Sequence, residues 1–435
     1  MADLQATIEE VARESHGRIM ATLAARFGDF DLAEDALQDA FAIALQRWPQ
    51  DGIPRNPPGW ITTAALRLAH NRVRRDQVRS AKYALIATEA REDTSALDRA
   101  DEWMFPDERL RLMFTCCHPA LNHDAQIALT LRMLGGLSTR AIARAFLLPE
   151  ATLAQRLVRA KRKIHEARIP YRVPDAEQLP GRLSAVLVVL YAIFNEGYRA
   201  STGDALIRDD LCAEAIRLGR ALCELLPGEP ESVGLLALML LHQARRPART
   251  TLEGLPLPLD AQDHTRWNQS LIAEGGALLD RALAQRRPGP YQIQAAIAAL
   301  HTQAPSPDET DWPQIVGLYV ALWSSTPSPV VELNLAAAVA MAYGPEQGLQ
   351  ILEQPHLARA LSDYRWFHAT RADLLGRLSR MGEARDAYAQ ALTLAEQPAE
   401  QAFLRQRAAE LSGGGLFGST YVAVEHSGKG AWSDD

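Results

Sequence analysis

Residues 137–164 read LSTRAIARAFLLPEATLAQRLVRAKRKI, two amphipathic segments broken at Leu147-Leu148. Ser138 is placed to accept a hydrogen bond from the first turn of a helix and so to start one. Ile142, Ala143 and Phe146 follow at helical spacing, and Ala143 is small where a second helix must come close. Pro149 suits the first turn of that next helix, where its missing N–H costs nothing. Leu153, Leu157, Ala160 and Ile164 then form an inward stripe. Glu150 stands in the first turn, and Thr152, Gln155, Arg156, Arg159, Lys161, Arg162 and Lys163 occupy the opposite face. The pattern predicts a helix-turn-helix. Its second helix can enter a DNA major groove, with early residues reaching base edges and later cations meeting phosphates. Leu147 departs from the common form of this motif, in which glycine makes the turn. A basic face of this kind also occurs on hairpins that meet only solvent.

Toward the N-terminus, Asp31-Leu32-Ala33-Glu34-Asp35-Ala36-Leu37-Gln38-Asp39-Ala40-Phe41 is amphipathic in a different sense. Leu32, Ala36, Leu37, Ala40, Phe41, Leu45 and Trp48 lie toward one side, while Asp31, Glu34, Asp35, Gln38 and Asp39 form the other. So acidic a face repels DNA and suits a basic protein partner. A Pro-rich loop, Pro49 to Gly59, leads into a helix from Trp60 that ends in basic residues.

Charge is divided along the chain. Residues 1–172 hold 25 Lys+Arg against 22 Asp+Glu, whereas the remainder holds 21 against 31. The net −7 therefore conceals a basic first part and an acidic second one. Within the first part the cations fall in two groups, Arg67 to Lys82 and Arg156 to Arg168, with an acidic stretch between them. Two such groups suggest two contacts with a polyanion.

The order AEDALQDAF, loop, PPGWITTAALRLAHNRVRR, acidic linker, LSTRAIARAFLLPEATLAQRLVRAKRKI resembles regions 2 and 4 of extracytoplasmic-function (ECF) sigma factors over about residues 10–168. The resemblance implies a protein that binds core RNA polymerase, directs promoter recognition, melts DNA and starts transcription without being an enzyme. It implies that Asp31, Glu34, Asp35, Gln38, Asp39 and Phe41 dock on the clamp helices of the β′ subunit. It assigns Trp60, Thr63, Arg67 and Asn71 to capture of unpaired −10 bases. Arg72, Arg74 and Arg75 fall to nearby phosphates, and the face from Glu150 to Lys163 to reading the −35 element. The linker, with Glu89, Glu92, Asp93, Asp98, Asp101 and Glu102, would thread polymerase near its active-site and RNA-exit channels, the β′ clamp and the β subunit being the implied polymerase partners. Composition alone also fits plain solvated chain there.

The C-terminal half reads as a helical array. Ala372, Leu375, Ser379, Ala384, Tyr388 and Ala391 follow the small-large-small pattern of a tetratricopeptide hairpin. Ala336, Val339, Tyr343, Gly348, Leu352 and Pro355 echo it partially, and Leu236, Ala237, Leu240 and Ala244 add a further match. Polar or aromatic segments at Asn195–Tyr198, Gln262–Trp267, Gln294–His301 and Asp311-Trp312 fit caps or buried hydrogen-bond partners. Their order resembles the extension of a sigma-factor subgroup, in which it is thought to modulate activity with a small DGPF-type protein as partner.

The expected fold is all-α. Its segments are a first helical domain (1–82), an acidic linker (83–107), a helix-turn-helix domain (108–172), a tetratricopeptide-like extension (180–411) and a flexible tail (412–435). Cys116-Cys117 fits small buried residues better than a metal or redox site, because adjacent cysteines cannot easily serve one tetrahedral ion. No cofactor is expected. The apolar runs Leu183–Phe194 and Leu235–Leu241 are shorter than the ~20 residues that cross a bilayer, and the absence of a secretion signal fits the cytoplasm. An operator-binding regulator with a repeat-type sensor shares the helix-turn-helix but has no use for the acidic face. A repeat scaffold whose helix-turn-helix is incidental is a second rival. No nucleophile–base pair, phosphate loop or metal motif supports an enzyme.

Overall fold

Alanine and leucine at spacings of three and four build helix after helix. The computed structural model describes residues 7–8, 10–12, 15–83, 106–145, 148–198, 209–251, 257–395 and 398–413, and holds no β-strand among them. The chain divides into two compact units, Met1–Val189 and Leu190–Asp435. The linker residues 84–105, the turn residues Phe146 and Leu147, and the tail from 414 lie outside the described residues.

In the first unit, α1 (His16–Phe27) stops at Gly28, whose φ of 67° suits glycine and whose N–H donates to the Ala24 carbonyl. Asp29 at once caps α2 (Phe30–Asp51), its Oδ1 accepting from the N–H groups of Asp31 and Leu32 at 2.9 and 3.0 Å. Ala33, Ala36, Leu37, Ala40, Ala44 and Trp48 are buried along α2. These small residues let α3 (Pro57–Tyr83) lie close, with Ile61, Ala65 and Ala69 facing inward. The sequence stripe had Leu45 inward, but Leu45 is 46% exposed and Phe41 half-buried. The helical rotation carries the buried row through Ala44 instead.

The helix-turn-helix forms from α4 (Pro106–Cys116), α5 (His123–Leu129), a π-helical turn (Thr130–Leu134), α6 (Thr139–Ala145) and α7 (Glu150–Glu166). Ser138 Oγ accepts from the Ala141 N–H at 3.1 Å, and Ile142 and Ala143 are buried. Leu153, Leu157, Ala160 and Ile164 form the buried stripe of α7. Cys116 and Cys117 are enclosed, with Cys117 Sγ 3.5 Å from Thr130 Oγ1. Burial raises the Cys116 thiol and pushes Cys117 up to about 12, so both pack as small apolar groups.

These two sets of helices pack on each other within the first unit. Helix α1 lies against α4 and the π-helical turn. A Cβ on Gly17 would stand 2.6 Å from the Leu134 carbonyl oxygen, so only glycine allows this approach. Across the same junction, the Tyr171 hydroxyl lies within hydrogen-bond reach of the Ala21 and Glu108 carbonyls, at 3.0 and 3.2 Å.

Helix α8 (Leu179–Tyr198) runs across the boundary between the units. It extends the apolar run to 20 residues, long and apolar enough to cross a membrane by length and composition. Yet Val186, Val189, Leu190, Ile193 and Phe194 are buried in protein, as in a core helix. The second unit continues through α9 (Asp209–Leu225), α10 (Pro230–Ala244), α11 (Gln269–Leu283), α12 (Pro290–Gln303) and α13 (Trp312–Ser325). It ends with α14 (Pro329–Tyr343), α15 (Pro345–Leu352), α16 (Pro355–Ala360), α17 (Arg365–Arg377), α18 (Met381–Thr393) and α19 (Pro398–Gly413).

Helices α17 and α18 form the expected hairpin, with Ala372, Leu375, Ala384, Tyr388 and Ala391 buried. Helices α14 and α15 repeat it, though Tyr343 of the echo is 56% exposed. Gly348 sits where a Cβ would meet Ala340 Cβ at 2.5 Å and the Ala336 carbonyl oxygen at 2.6 Å. Gly348→Ala should therefore lower the stability of the C-terminal unit by about 1–3 kcal/mol through overpacking, read as an earlier denaturant midpoint.

Candidate functional site

The candidate residues fall on three helices of the first unit. On α3, Trp60, Thr63, Arg67 and Asn71 follow at intervals of three and four, so they share one face. Asn56 starts this helix by accepting from the Gly59 N–H at 3.0 Å. Trp60 is half-buried and packs edge-on against Trp48, with ring centroids 5.5 Å apart. Thr63 donates back to the Gly59 carbonyl, whereas Arg67 and Asn71 are exposed. An aromatic wall beside exposed donors is an arrangement that accepts a splayed base.

Arg72 turns toward α2. Its two terminal nitrogens donate to Asp35 and Asp39 at 2.7 and 2.8 Å, while Arg74 and Arg75 stay exposed. Both acids remain about half-exposed, so this contact is solvent-screened and weak. Gln38 is exposed between them.

On α7, Glu150, Gln155, Arg159, Arg162 and Lys163 are exposed, and Thr152 is half-buried. Arg162 pairs along the helix with Glu166 at 3.5 Å. Two members of the predicted reading face depart from it. Arg156 donates to Asp124 at 3.0 Å, and Asp124 is buried, so this guanidinium also ties α7 to α5. Burial raises the Asp124 carboxyl pKa even though Arg156 opposes the shift.

Lys161 departs further. Its ammonium contacts Asp31 and also Glu34, the latter at 3.1 Å, and its side chain is 13% exposed. Burial works against its charge, but hydrogen bonds and attraction from Asp31 and Glu34 prevail and raise its pKa. Glu34 itself is buried rather than part of an open acidic face, because Arg132 pairs with it from the other side. Arg132 also donates to the Leu137 carbonyl at 3.0 Å, just ahead of α6. Sequence reading missed Arg132, and the signal available was its position as a lone cation in an otherwise apolar stretch, TLRML.

The polar segments of the second unit are largely caps and buried partners. Asp311 accepts from the Gln314 N–H at 3.0 Å, and Asp263 from the Thr265 N–H at 2.9 Å. The Arg249 guanidinium lies 3.4 Å over the Tyr198 ring. Burial, together with Arg245, brings His301 down to about 3, so its imidazole is neutral. No group of three side chains suited to a metal ion occurs among the described residues.

Comparison with known proteins finds three family matches along the chain. Residues 11–79 match sigma-70 region 2, residues 111–164 match sigma-70 region 4, and residues 182–283 match a family of unknown function (DUF6596). An uncharacterised protein of Rhizobium meliloti (strain 1021) is 44% identical over 390 residues, 89% of this chain and 92% of its own length. The probable ECF RNA polymerase sigma factor SigI of Mycobacterium tuberculosis is 30% identical over 169 residues, 38% of this chain and 57% of SigI. No solved structure matches.

Arg156 and Arg159 should separate cleanly in denaturation experiments. Arg156→Ala leaves buried Asp124 without its guanidinium and should cost about 1–3 kcal/mol of stability. Arg159→Ala, at an exposed position, should stay within about 0.5 kcal/mol of the parent.

Proposed function

This chain belongs to the extracytoplasmic-function branch of the sigma-70 family, and from that premise we propose how its surfaces share the work of transcription initiation. The exposed carboxylates of α2, Asp31, Asp35 and Asp39, with Gln38, Phe41 and Glu34, dock on the β′ clamp of core RNA polymerase. The face of α3 carrying Trp60, Thr63, Arg67 and Asn71 holds unpaired −10 bases, and Arg72, Arg74 and Arg75 hold phosphates beside them. On α7, Glu150, Thr152, Gln155, Arg156 and Arg159 read the −35 element, with Lys161, Arg162 and Lys163 on its flanking phosphates.

The observation that carries this reading is the succession of the two sigma-70 matches, with carboxylates on α2 and cations on α3 and α7. Charge complementarity explains why the roles divide this way. An acidic helix is repelled by DNA and attracted by a basic protein groove, while basic helices neutralise phosphates and release counterions. Melting needs no catalytic group, since unstacking costs a few kcal/mol per step and base pockets offset it.

The two sigma domains (1–82 and 108–172) are separable parts joined by the 83–107 linker, and the array of 180–411 modulates them. The acidic balance of the chain beyond residue 172 supports a modulating rather than DNA-binding role, and the DGPF-type protein suggested by family resemblance is its candidate partner.

Transcription in vitro with core polymerase tests the assignment. The full chain should yield promoter-specific transcripts, and Asp35→Arg should abolish polymerase binding. Replacing Arg159 and Arg162 by alanine should lower transcript yield about tenfold or more while polymerase binding persists. Transcripts indifferent to both changes would contradict the reading.

A further inference from the structure

The C-terminal unit holds a buried cation with no counterion among the described residues. Arg245 directly follows the last residue of α10 and is 4% exposed. Its one hydrogen bond among those residues runs from Nε to the Gln262 amide oxygen, at 3.4 Å. Arg249, a turn further on, is placed differently. Its guanidinium lies over the Tyr198 ring and donates to the Tyr198 carbonyl at 2.6 Å. Buried charges are ordinarily paired, because an ion taken out of water is costly unless a partner replaces the water. Arg245 makes a single long contact, and its remaining N–H groups are left to donate elsewhere.

Three elements close around this cation. His242 stands one turn earlier on α10, Gln262 and His264 come from the loop that joins α10 to α11, and His301 lies in the last turn of α12, which packs on α10. The Asn268 N–H holds the loop to the helix end by donating to the Ala244 carbonyl at 2.9 Å. His264 stacks on Trp267 with ring centroids 3.7 Å apart, and His301 meets Trp312 edge-on at 5.2 Å. Trp267 is 4% exposed, and its indole N–H is buried with no hydrogen-bond partner among the described residues. Burial first, and then the charge of Arg245, hold His242 and His301 far below the usual imidazole range. Neutral imidazoles cannot serve Arg245 as counterions. Asp263 of the same loop is exposed and turned to Thr265, accepting from its N–H and hydroxyl at 2.9 and 2.6 Å.

We propose that Arg245 anchors a binding site for a small organic oxyanion, a carboxylate or a phosphate ester, within the C-terminal unit, with the Trp267 N–H as a second donor from the adjoining loop. A guanidinium presents paired N–H groups in a plane that matches either oxyanion. An indole N–H only donates, so it too selects an acceptor and has nothing to offer a cation. The aromatic rings around the anchor suit an apolar or unsaturated body behind the charged group. A bound anion also supplies the missing counterion, so occupancy stabilises the unit. Neither polymerase nor promoter is needed for such binding, which stands apart from the roles given to α2, α3 and α7.

Fluorine NMR of the full-length chain labelled with fluorotryptophan provides the test. The chain has 8 tryptophans, each giving one resonance, and Trp267→Phe identifies that of Trp267. The probes are inorganic phosphate, acetate, phenyl phosphate and benzoate, each against chloride at matched ionic strength. The Trp267 resonance should move saturably with at least one of the four and not with chloride, while that of exposed Trp323 on α13 stays in place. Movement with acetate and benzoate alone gives a carboxylate as the ligand chemistry, and movement with the two phosphates alone gives a phosphate. Arg245→Met, with helical content retained, should weaken the response about tenfold or more. A Trp267 resonance indifferent to all four probes, one that follows chloride equally, or an unchanged response in Arg245→Met overturns the site. If Arg245→Met fails to fold, the parent titration decides alone: saturation at Trp267 without movement of Trp323 supports the site, and its absence overturns it.

Discussion

Glu34 is the carboxylate on which the first unit turns. It sits buried on α2 with Arg132 on one side and Lys161 on the other, cations 98 and 127 residues further along the sequence. Coulomb attraction between such neighbours is on the order of 4 kcal/mol at an effective dielectric of about 20. Desolvation takes back much of this, and removal of one partner leaves the others shielded and uncompensated. A carboxylate in that position ties α2 to α7 and to the π-helical turn at once.

The rest of the unit is built around this contact. Alanines along α2 and the stripe Ile61, Ala65, Ala69 on α3 fix those two helices as one body. Leu153, Leu157, Ala160 and Ile164 fix α7 to its own helix-turn-helix core. Each body thus has an apolar interior of its own, and the two meet where α1 packs on α4 and the π-helical turn through a glycine-permitted backbone approach, Tyr171 and ion pairs.

What the sequence revealed is what local periodicity encodes. The stripe on α7, the Ser138 cap and the tetratricopeptide hairpin at Ala372 and Ala384 are each set by neighbours three, four or a dozen residues away. The hairpin repeat extends to its echo, where Arg377 reaches Met341 across 36 positions. Leu45 falls outside the buried row because apolar spacing tolerates a rotation of one residue that closely packed alanines such as Ala44 do not. Glu34 and Lys161 were read as exposed since each belongs to a charged face, and nothing local marks which member of such a face has a distant partner. Gly17 carried a faint mark, a glycine one position inside a helix, where alanine is preferred unless another backbone comes close. Arg156 had none, as its tie to Asp124 spans two helices of different register.

The central claim is that Glu34 ties α2 to α7 through Lys161 and to the π-helical turn through Arg132. Spin labels at the exposed positions Gln46 of α2 and His165 of α7 report that junction as a distance in the full-length protein. The account predicts one narrow distance in the parent chain and a broadened distribution in Glu34→Gln. A distribution equally narrow in both, or already broad in the parent, would contradict it.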